Sequence, residues 1–292
     1  MNMEDSIIDD FAGYLEYQRR YSPHTIKGYT TDLCILSRYL SGITPCVSLV
    51  EAGTRQLRSW LVELKRQGTE PAGINRKISA MRTFYRYLLY KGVVKKNPVS
   101  RLQNVSRPRQ LPEFVPDYKM QQLLDTDENF ANDKDGERNR MIVELFYGTG
   151  IRSAELIGLR CSDIDFSRRT LTVHGKGGKT RQVPLTETLC RRLRTFVTTG
   201  DAPLFTTGKG RPMYAKLVYN IVHRYLELTQ SVHRSSPHTI RHSFATGMLN
   251  NGADLNAIKE LLGHANLSAT QVYTHVSYDK LNKVYKQAHP RA

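Results

Sequence analysis

From Lys95 to Pro112 the chain sets prolines at 98, 108 and 112 among the cations Lys95, Lys96, Arg101, Arg107 and Arg109. Proline resists helix continuation and these charges resist burial, so no single core runs through this stretch. It predicts an exposed linker with one folded unit on each side, in keeping with 292 residues and a prior of about 150 residues per domain. The boundaries that follow are 1–96 for a first domain, 97–112 for the linker and 113–292 for a second domain ending in a tail helix.

The first domain reads as helices. Ile7, Ile8, Phe11 and Leu15 recur at helical spacing within Asp5 to Arg20. Ser22 followed by Pro23 supplies an N-cap and a first-turn proline for a second helix reaching Leu40. Thr54 is placed to cap a third. A fourth spans Pro71 to Tyr90, with Ile74, Ile78, Met81, Tyr85 and Leu88 along one stripe, while Arg76, Lys77, Arg82 and Arg86 fall largely on other faces. Four helices in so short a stretch predict a small bundle.

Beyond the linker, helix and strand signals mix. Asn139 to Phe146 reads as helical, and Gly148, Thr149 and Gly150 break it just before Ile151 and Arg152. Thr170 to His174 alternates around Leu171 and Val173, and Gln182 to Leu185 is a second extended piece. Between them Gly175 to Thr180 makes a hairpin loop bearing Lys176 and Lys179. Helical patterns return at 186–198, 214–229, 237–250, 255–262 and 269–287, the last broken near Val276. The fold class is mainly α with a small β component: a helical bundle followed by an α+β domain.

Charge narrows the function. Lys and Arg number 43 against 27 Asp and Glu, a net charge of +16. The part ending at Ser106 holds 16 basic and 9 acidic residues, the remainder 27 and 18, so both halves are cationic. Two basic bodies suit a long polyanion, and nucleic acid fits better than an anionic membrane. No apolar run is long enough to span a bilayer, and the first residues lack a signal peptide's pattern, so a cytoplasmic protein is expected. Cys34, Cys46, Cys161 and Cys190 form no paired spacing, which argues against a disulfide framework and a zinc site.

Two familiar chemistries fail on spacing. Gly178, Lys179 and Thr180 match the end of a phosphate-binding loop, yet the required earlier glycine is Val173, and an extended segment follows where a helix is needed. His238 and His242 have zinc-like spacing without the glutamate after the first histidine or an evident third ligand. Taken singly, Arg152, Lys176, His238, Arg241, His264 and Tyr273 are ordinary. Together they lie in four distinctive runs: GTGIRSAEL at 148–156, GKGGK at 175–179, HTIRHSFA at 238–245 and LLGHANLSATQVYTH at 261–275.

This set resembles the tyrosine recombinase (lambda-integrase-like) family, most closely its XerC/XerD-type site-specific recombinases. The likeness spans nearly the whole chain, including SPHTIKGYTTDL at 22–33 and HPRA at 289–292. It implies a SAM-like core-binding domain followed by a catalytic domain. By motif, Arg152 and Arg241 match the catalytic arginines, Lys176 the hairpin lysine, His238 and His264 the histidine positions, Tyr273 the nucleophile and Glu155 the acidic residue supporting the first arginine.

Chemistry favours those residue types. Displacing an alkoxide from a phosphodiester spreads charge over non-bridging oxygens, which fixed donors must counter. Guanidinium groups are permanently charged and hold phosphate with two parallel hydrogen bonds. A tyrosine nucleophile stores the cleaved bond as a phosphotyrosine ester, so the resemblance implies no nucleotide, metal or other cofactor. It further implies a 3′-phosphotyrosyl intermediate, a Holliday junction, and a tetramer on double-stranded DNA, formed of one chain or with a second recombinase. A DNA-translocase activator is expected only for a chromosomal role. Lys27, Arg76, Lys77, Arg82, Arg107 and Lys179 are candidate DNA contacts. The tail around Leu281, Val284 and Tyr285 is expected on a neighbouring protomer or on its own domain. A type IB topoisomerase and a non-enzymatic DNA-binding regulator are the alternatives.

Overall fold

The structure, a computed structural model, describes residues 3–106, 113–175, 178–198, 200–233, 235–263 and 278–291. The chain divides into two compact units, Met1–Gln110 and Leu111–Ala292. Among the described residues no helix is long and apolar enough to cross a membrane.

The first unit holds four helices: α1 (Met3–Gly13), α2 (Pro23–Ser41), α3 (Thr54–Arg66) and α4 (Pro71–Tyr90). A π-helical turn, Tyr14–Gln18, continues α1 and keeps Leu15 in the core with Ile8 and Phe11. α2 starts where expected, Ser22 Oγ accepting the Thr25 N–H at 3.2 Å ahead of Pro23. The stripe of α4 is buried as predicted, and Phe11 meets Phe84 edge-on at 5.3 Å between ring centres. Each fully buried Leu or Phe contributes about 1.5–3 kcal/mol.

Three expectations need correction here. Gly53, not Thr54, is the N-cap of α3, and the Thr54 hydroxyl donates instead to the Pro98 carbonyl at 2.7 Å. Lys77 does not lie on an outer face: it is buried against Asp32 of α2, Nζ to Oδ1 2.7 Å. Nor is 97–106 a free linker. Val99 and Leu102 are buried in the bundle core, Asn75 exchanges two hydrogen bonds with the Val105 backbone at 2.8 and 2.9 Å, and Arg82 reaches the Leu102 carbonyl. Lys95 and Lys96 are exposed, so proline and charge coexist with anchoring apolar residues.

The second unit begins with α5 (Asp117–Asp125), α6 (Glu128–Ala131), α7 (Gly136–Thr149) and α8 (Ser153–Gly158). A three-stranded antiparallel sheet follows, ordered β1 (Ile164–Asp165), β2 (Thr170–His174), β3 (Thr180–Pro184). Val173 pairs with Arg181 and His174 with Thr180, and the Gly175 N–H donates to the Lys179 carbonyl at 2.7 Å across the hairpin. Then come α9 (Glu187–Leu193), α10 (Ala215–Glu227), α11 (Pro237–Asn250), α12 (Leu255–Leu262) and α13 (Tyr278–Ala288).

α7 is the central element. From Met141 to Thr149 every residue is buried, which explains why its sequence shows little amphipathic period. It starts earlier than its periodicity suggests and runs through Gly148 to end at Gly150. The helix at 186 is shorter than expected, closing at Leu193. The expected helix over 269–287 lies within the described residues only from 278. That part packs on its own unit: the Tyr285 hydroxyl donates to the Gly148 carbonyl at 2.7 Å, Asn251 to the Ala288 carbonyl at 2.9 Å, and Arg291 to Asp125 at 2.9 Å.

Candidate active site

Gly150 ends α7 at φ +61°, a left-handed conformation that costs glycine nothing. A Cβ there would come within 2.5 Å of Phe244 Cδ1 and 2.8 Å of Leu262 Cδ2, so only glycine lets α11 and α12 close on this turn. Arg152 is then the N-cap of α8, and Glu155, three residues on, accepts the Arg152 backbone N–H on Oε2 at 2.8 Å. A carboxylate at this point also suits the positive end of a helix.

Buried Glu155 gathers two guanidinium groups. Arg152 Nη1 donates to Oε1 at 2.8 Å, while Arg181 of β3 spans both oxygens, Nη1 to Oε1 at 3.0 Å and Nη2 to Oε2 at 2.8 Å. Burial alone would raise the carboxyl's pKa. Hydrogen bonds from Arg181 and from the Arg152 backbone, with the adjacent charges, outweigh it and hold the pKa at about 2.

The second anchor is the C-terminal turn of α12. A helix end leaves carbonyls without intrahelical partners and carries the negative end of the dipole. Here three consecutive carbonyls take three different arginines: Leu261 from Arg181 Nε at 2.7 Å, Leu262 from Arg241 Nη2 at 2.7 Å and Gly263 from Arg152 Nη2 at 3.2 Å. Arg241, buried on α11, also donates from Nη1 to the Gly150 carbonyl at 2.6 Å. Burial, and then the neighbouring Arg152, push its pKa down to about 10 against the pull of Glu155, so it stays protonated at neutral pH. One carboxylate faces three guanidinium groups, and the surplus positive charge suits an anion.

Of the sequence-predicted residues, the structure brings Arg152, Arg241 and Glu155 together. His238 is exposed on α11, one turn before Arg241. Lys176, His264, Tyr273 and Arg107 lie outside the described residues, although Gly263 of the cluster directly precedes His264. Lys179 is exposed on the hairpin and Lys27 on α2. The other DNA-contact candidates fare differently. Lys77 is buried and bound to Asp32, which removes it from the phosphate-contact set. Arg76 is half exposed but also bonds Asp32, at 2.9 Å, and Arg82 is committed to Leu102 and Asn104. Among the described residues no group of three or more His, Cys, Asp or Glu could hold a metal ion.

Arg181 is the residue that sequence reasoning missed. The extended segment was expected to begin at Gln182, but alternation carried back from buried Val183 puts Arg181 on the inward face. An inward cation demands a carboxylate partner.

Residues 113–280 match the phage integrase family and residues 8–92 the phage integrase N-terminal SAM-like domain. The chain belongs to the phage integrase family. Among its relatives, the tyrosine recombinase XerC of Bacillus pumilus (strain SAFR-032) is 35 % identical over 304 residues, covering 100 % of this chain and 99 % of that one. The tyrosine recombinase XerC of Mycobacterium sp. (strain JLS) is 37 % identical over 299 residues, covering 99 % and 100 %. In fold, this integrase-family chain is similar to a lambda integrase dimer bound to a COC′ core site, with a TM-score of 0.71, 18 % identity, and 94 % and 100 % of the two chains covered. It is a tyrosine recombinase of the XerC type, an enzyme of site-specific DNA recombination, built from an N-terminal SAM-like domain and a C-terminal catalytic domain. Membership sets aside the topoisomerase and regulator alternatives.

Proposed function

We propose that Arg152 and Arg241, the former supported by Glu155, clasp the scissile phosphodiester of a double-stranded DNA site and that Tyr273 attacks it. The observation that carries this reading is the seating of Arg152 and Arg241 on adjacent carbonyls, Gly263 and Leu262, where the chain leads into His264 and then Tyr273. Arg241's two carbonyl bonds use two of a guanidinium's five N–H groups, so the same group can hold a phosphate oxygen as well. Arg152, its side chain 39 % exposed, is open to a ligand, and exposed His238 stands one turn from Arg241.

The chemistry is two exchanges at phosphorus. The Tyr273 oxygen forms a bond to phosphorus while the bond to the 5′ oxygen breaks, and Lys176 gives that oxygen a proton. Cationic neighbours favour the phenolate, which the ordinary tyrosine pKa of about 10 otherwise opposes. His238 and His264 supply further donors or carry protons. A 5′ hydroxyl from the partner strand then attacks the 3′-phosphotyrosine and releases the phenol, and two such exchanges make and resolve a Holliday junction. The helical first unit is the core-binding domain, the second unit the catalytic domain, and exposed Lys27 and Lys179 contact DNA. The working assembly is a tetramer on two duplexes, of this chain alone or with a second recombinase, serving chromosome-dimer resolution or movement of a mobile element. A translocase activator accompanies only the former.

A suicide-nicked duplex tests this. Tyr273→Phe should abolish the covalent adduct and retain DNA binding, and paired sites should yield junctions. An undiminished adduct would move the nucleophile elsewhere, with Tyr278 the first suspect; relaxation of supercoils without recombinant product would remove the tetrameric exchange.

A further inference from the structure

Arg181 has a geometry unlike that of the two arginines placed on the phosphate. Its side chain is 13 % exposed, and its guanidinium is bound on three nitrogens: Nη1 and Nη2 to the two oxygens of Glu155 and Nε to the Leu261 carbonyl. A guanidinium so occupied is not placed to grasp a substrate. It joins three elements, since it stands on β3, grips α8 through Glu155 and holds the end of α12. Space has been cleared for it: at Gly263, φ +64°, an added Cβ would lie 3.1 Å from both Arg181 Cδ and Nη1. Its strand position is two residues beyond Lys179, on the arm descending from the hairpin tip, with its register partner Val173 buried.

We infer that Arg181 is a positioning residue for DNA cleavage: by locking Glu155 to the last turn of α12 it fixes the guanidinium of Arg152 and sets the base of the hairpin that carries Lys176. This rests on the roles proposed for Arg152 and Lys176. Among the described residues, the charged groups acting on Glu155 are Arg152 beside it, Arg181 from β3 and Arg241 from α11. Arg181 supplies the largest force keeping Glu155 ionised against its burial. Without it, Glu155 is left a buried carboxyl with weaker support, its proton affinity rises, and a protonated Glu155 no longer holds Arg152 as an ion pair.

Full-length Arg181→Gln and Arg181→Lys, assayed by single-turnover cleavage of a suicide-nicked duplex across the pH range and by DNA affinity, test this. Arg181→Gln should cleave about tenfold to a hundredfold more slowly, as is usual when an orienting partner is lost. Affinity should hold within a few-fold, an acid limb absent from the wild type should appear, and Arg181→Lys should recover part of the rate. Adding Glu155→Gln to Arg181→Gln should erase the acid limb. A rate unchanged in both variants, or a loss equal at every pH and matched by lost affinity, overturns the inference. Tyr273→Phe and Arg152→Lys run alongside: if these leave the adduct intact, the site assignment falls and this inference with it. If they abolish it while Arg181→Gln does not slow cleavage, only this inference falls.

Discussion

A buried carboxylate between two cations stands in each unit, Asp32 in the first and Glu155 in the second, and these two arrangements serve opposite ends. Asp32 of α2 takes Lys77 Nζ at 2.7 Å and Arg76 Nη2 at 2.9 Å, neighbours on α4, and so ties one pair of helices. Glu155 takes Arg152 and Arg181, which approach from separate elements and continue to the carbonyls of α12, where Arg241 joins them. Lys77 is spent on its partner and closed off from solvent. In the second unit much of the holding is done by carbonyl oxygens, and a dipole orients a guanidinium without cancelling its charge. Lys77, matched by a carboxylate and buried, is a fastener; Arg241, held by two neutral carbonyls, keeps its charge for a ligand, and Arg152, though paired with Glu155, keeps its side chain 39 % exposed.

The sharpest way to break this contrast is to remove each carboxylate or cation in turn. Asp32→Ala leaves the Lys77 ammonium buried without its counter-charge, which should cost about 3–5 kcal/mol in thermal or urea unfolding. At a temperature where the variant stays folded its single-turnover cleavage rate should match the wild type. Replacing both members, Asp32→Leu with Lys77→Met, should lose much less stability than Asp32→Ala, since no orphan charge remains. A cleavage defect larger than the stability defect would make the first cluster functional and erase the distinction.

The converse holds for the arginines on the carbonyls. Arg152→Lys and Arg241→Lys keep a positive charge but lose the planar fork, and either should slow cleavage at least about a hundredfold, or about 2.7 kcal/mol. DNA affinity should change far less. Arg76→Lys, the matching substitution in the first unit, should leave the chemical step alone. Suicide-substrate kinetics on the three variants decide the point.

The contrast also explains which features could be read from the chain. α4 and α11 were legible to the residue, because a proline opens each and, in α4, an apolar stripe marks the rest. α7 was legible only in part, since a helix buried on all sides loses the polar face that gives periodicity its meaning. β1, two residues long, and the short α6 and α8 carry too few residues to show any period. At the site, Arg152, Glu155 and Arg241 were found through their local runs, but Arg181 was not, because its importance lies in contacts with residues 26 and 80 positions away. Lys77 was misplaced for the same reason: nothing local to α4 reveals that Asp32 waits in the core.

A smaller effect comes from acid. Glu155 is held at a pKa of about 2 against an ordinary value of 4.5. The folded value lies below the unfolded one, so its stabilising contribution is complete above about pH 4.5 and drains away as pH falls through about 2. The loss should be about 3 kcal/mol. Glu155→Gln should be less stable at neutral pH and should flatten that part of the pH–stability curve. If the wild type and Glu155→Gln lose stability in parallel over this window, the ion pair is not the source.

The smallest effect sharpens the comparison most finely, because the same five residues, Ser-Pro-His-Thr-Ile, open one helix in each unit at 22–26 and 236–240. In α2 Ser22 Oγ accepts from the Thr25 N–H at 3.2 Å; in α11 Ser236 Oγ accepts from the Thr239 N–H at 3.3 Å. Local physics is therefore equal, and Ser22→Ala and Ser236→Ala should each cost about 1 kcal/mol. Their consequences should part. The first turn of α2 carries His24, exposed and remote in sequence from every candidate for catalysis, so Ser22→Ala should leave cleavage of a suicide substrate unchanged. The first turn of α11 carries His238 and leads to Arg241, so fraying there disorders the approach to the phosphate, and Ser236→Ala should slow cleavage several-fold beyond its cost in stability. Equal cleavage rates at equal stability would show that the cap of α11 is only a helix start, as it is in α2, and that Glu155 and the carbonyls of Gly150 and α12 hold the arginine cluster without it.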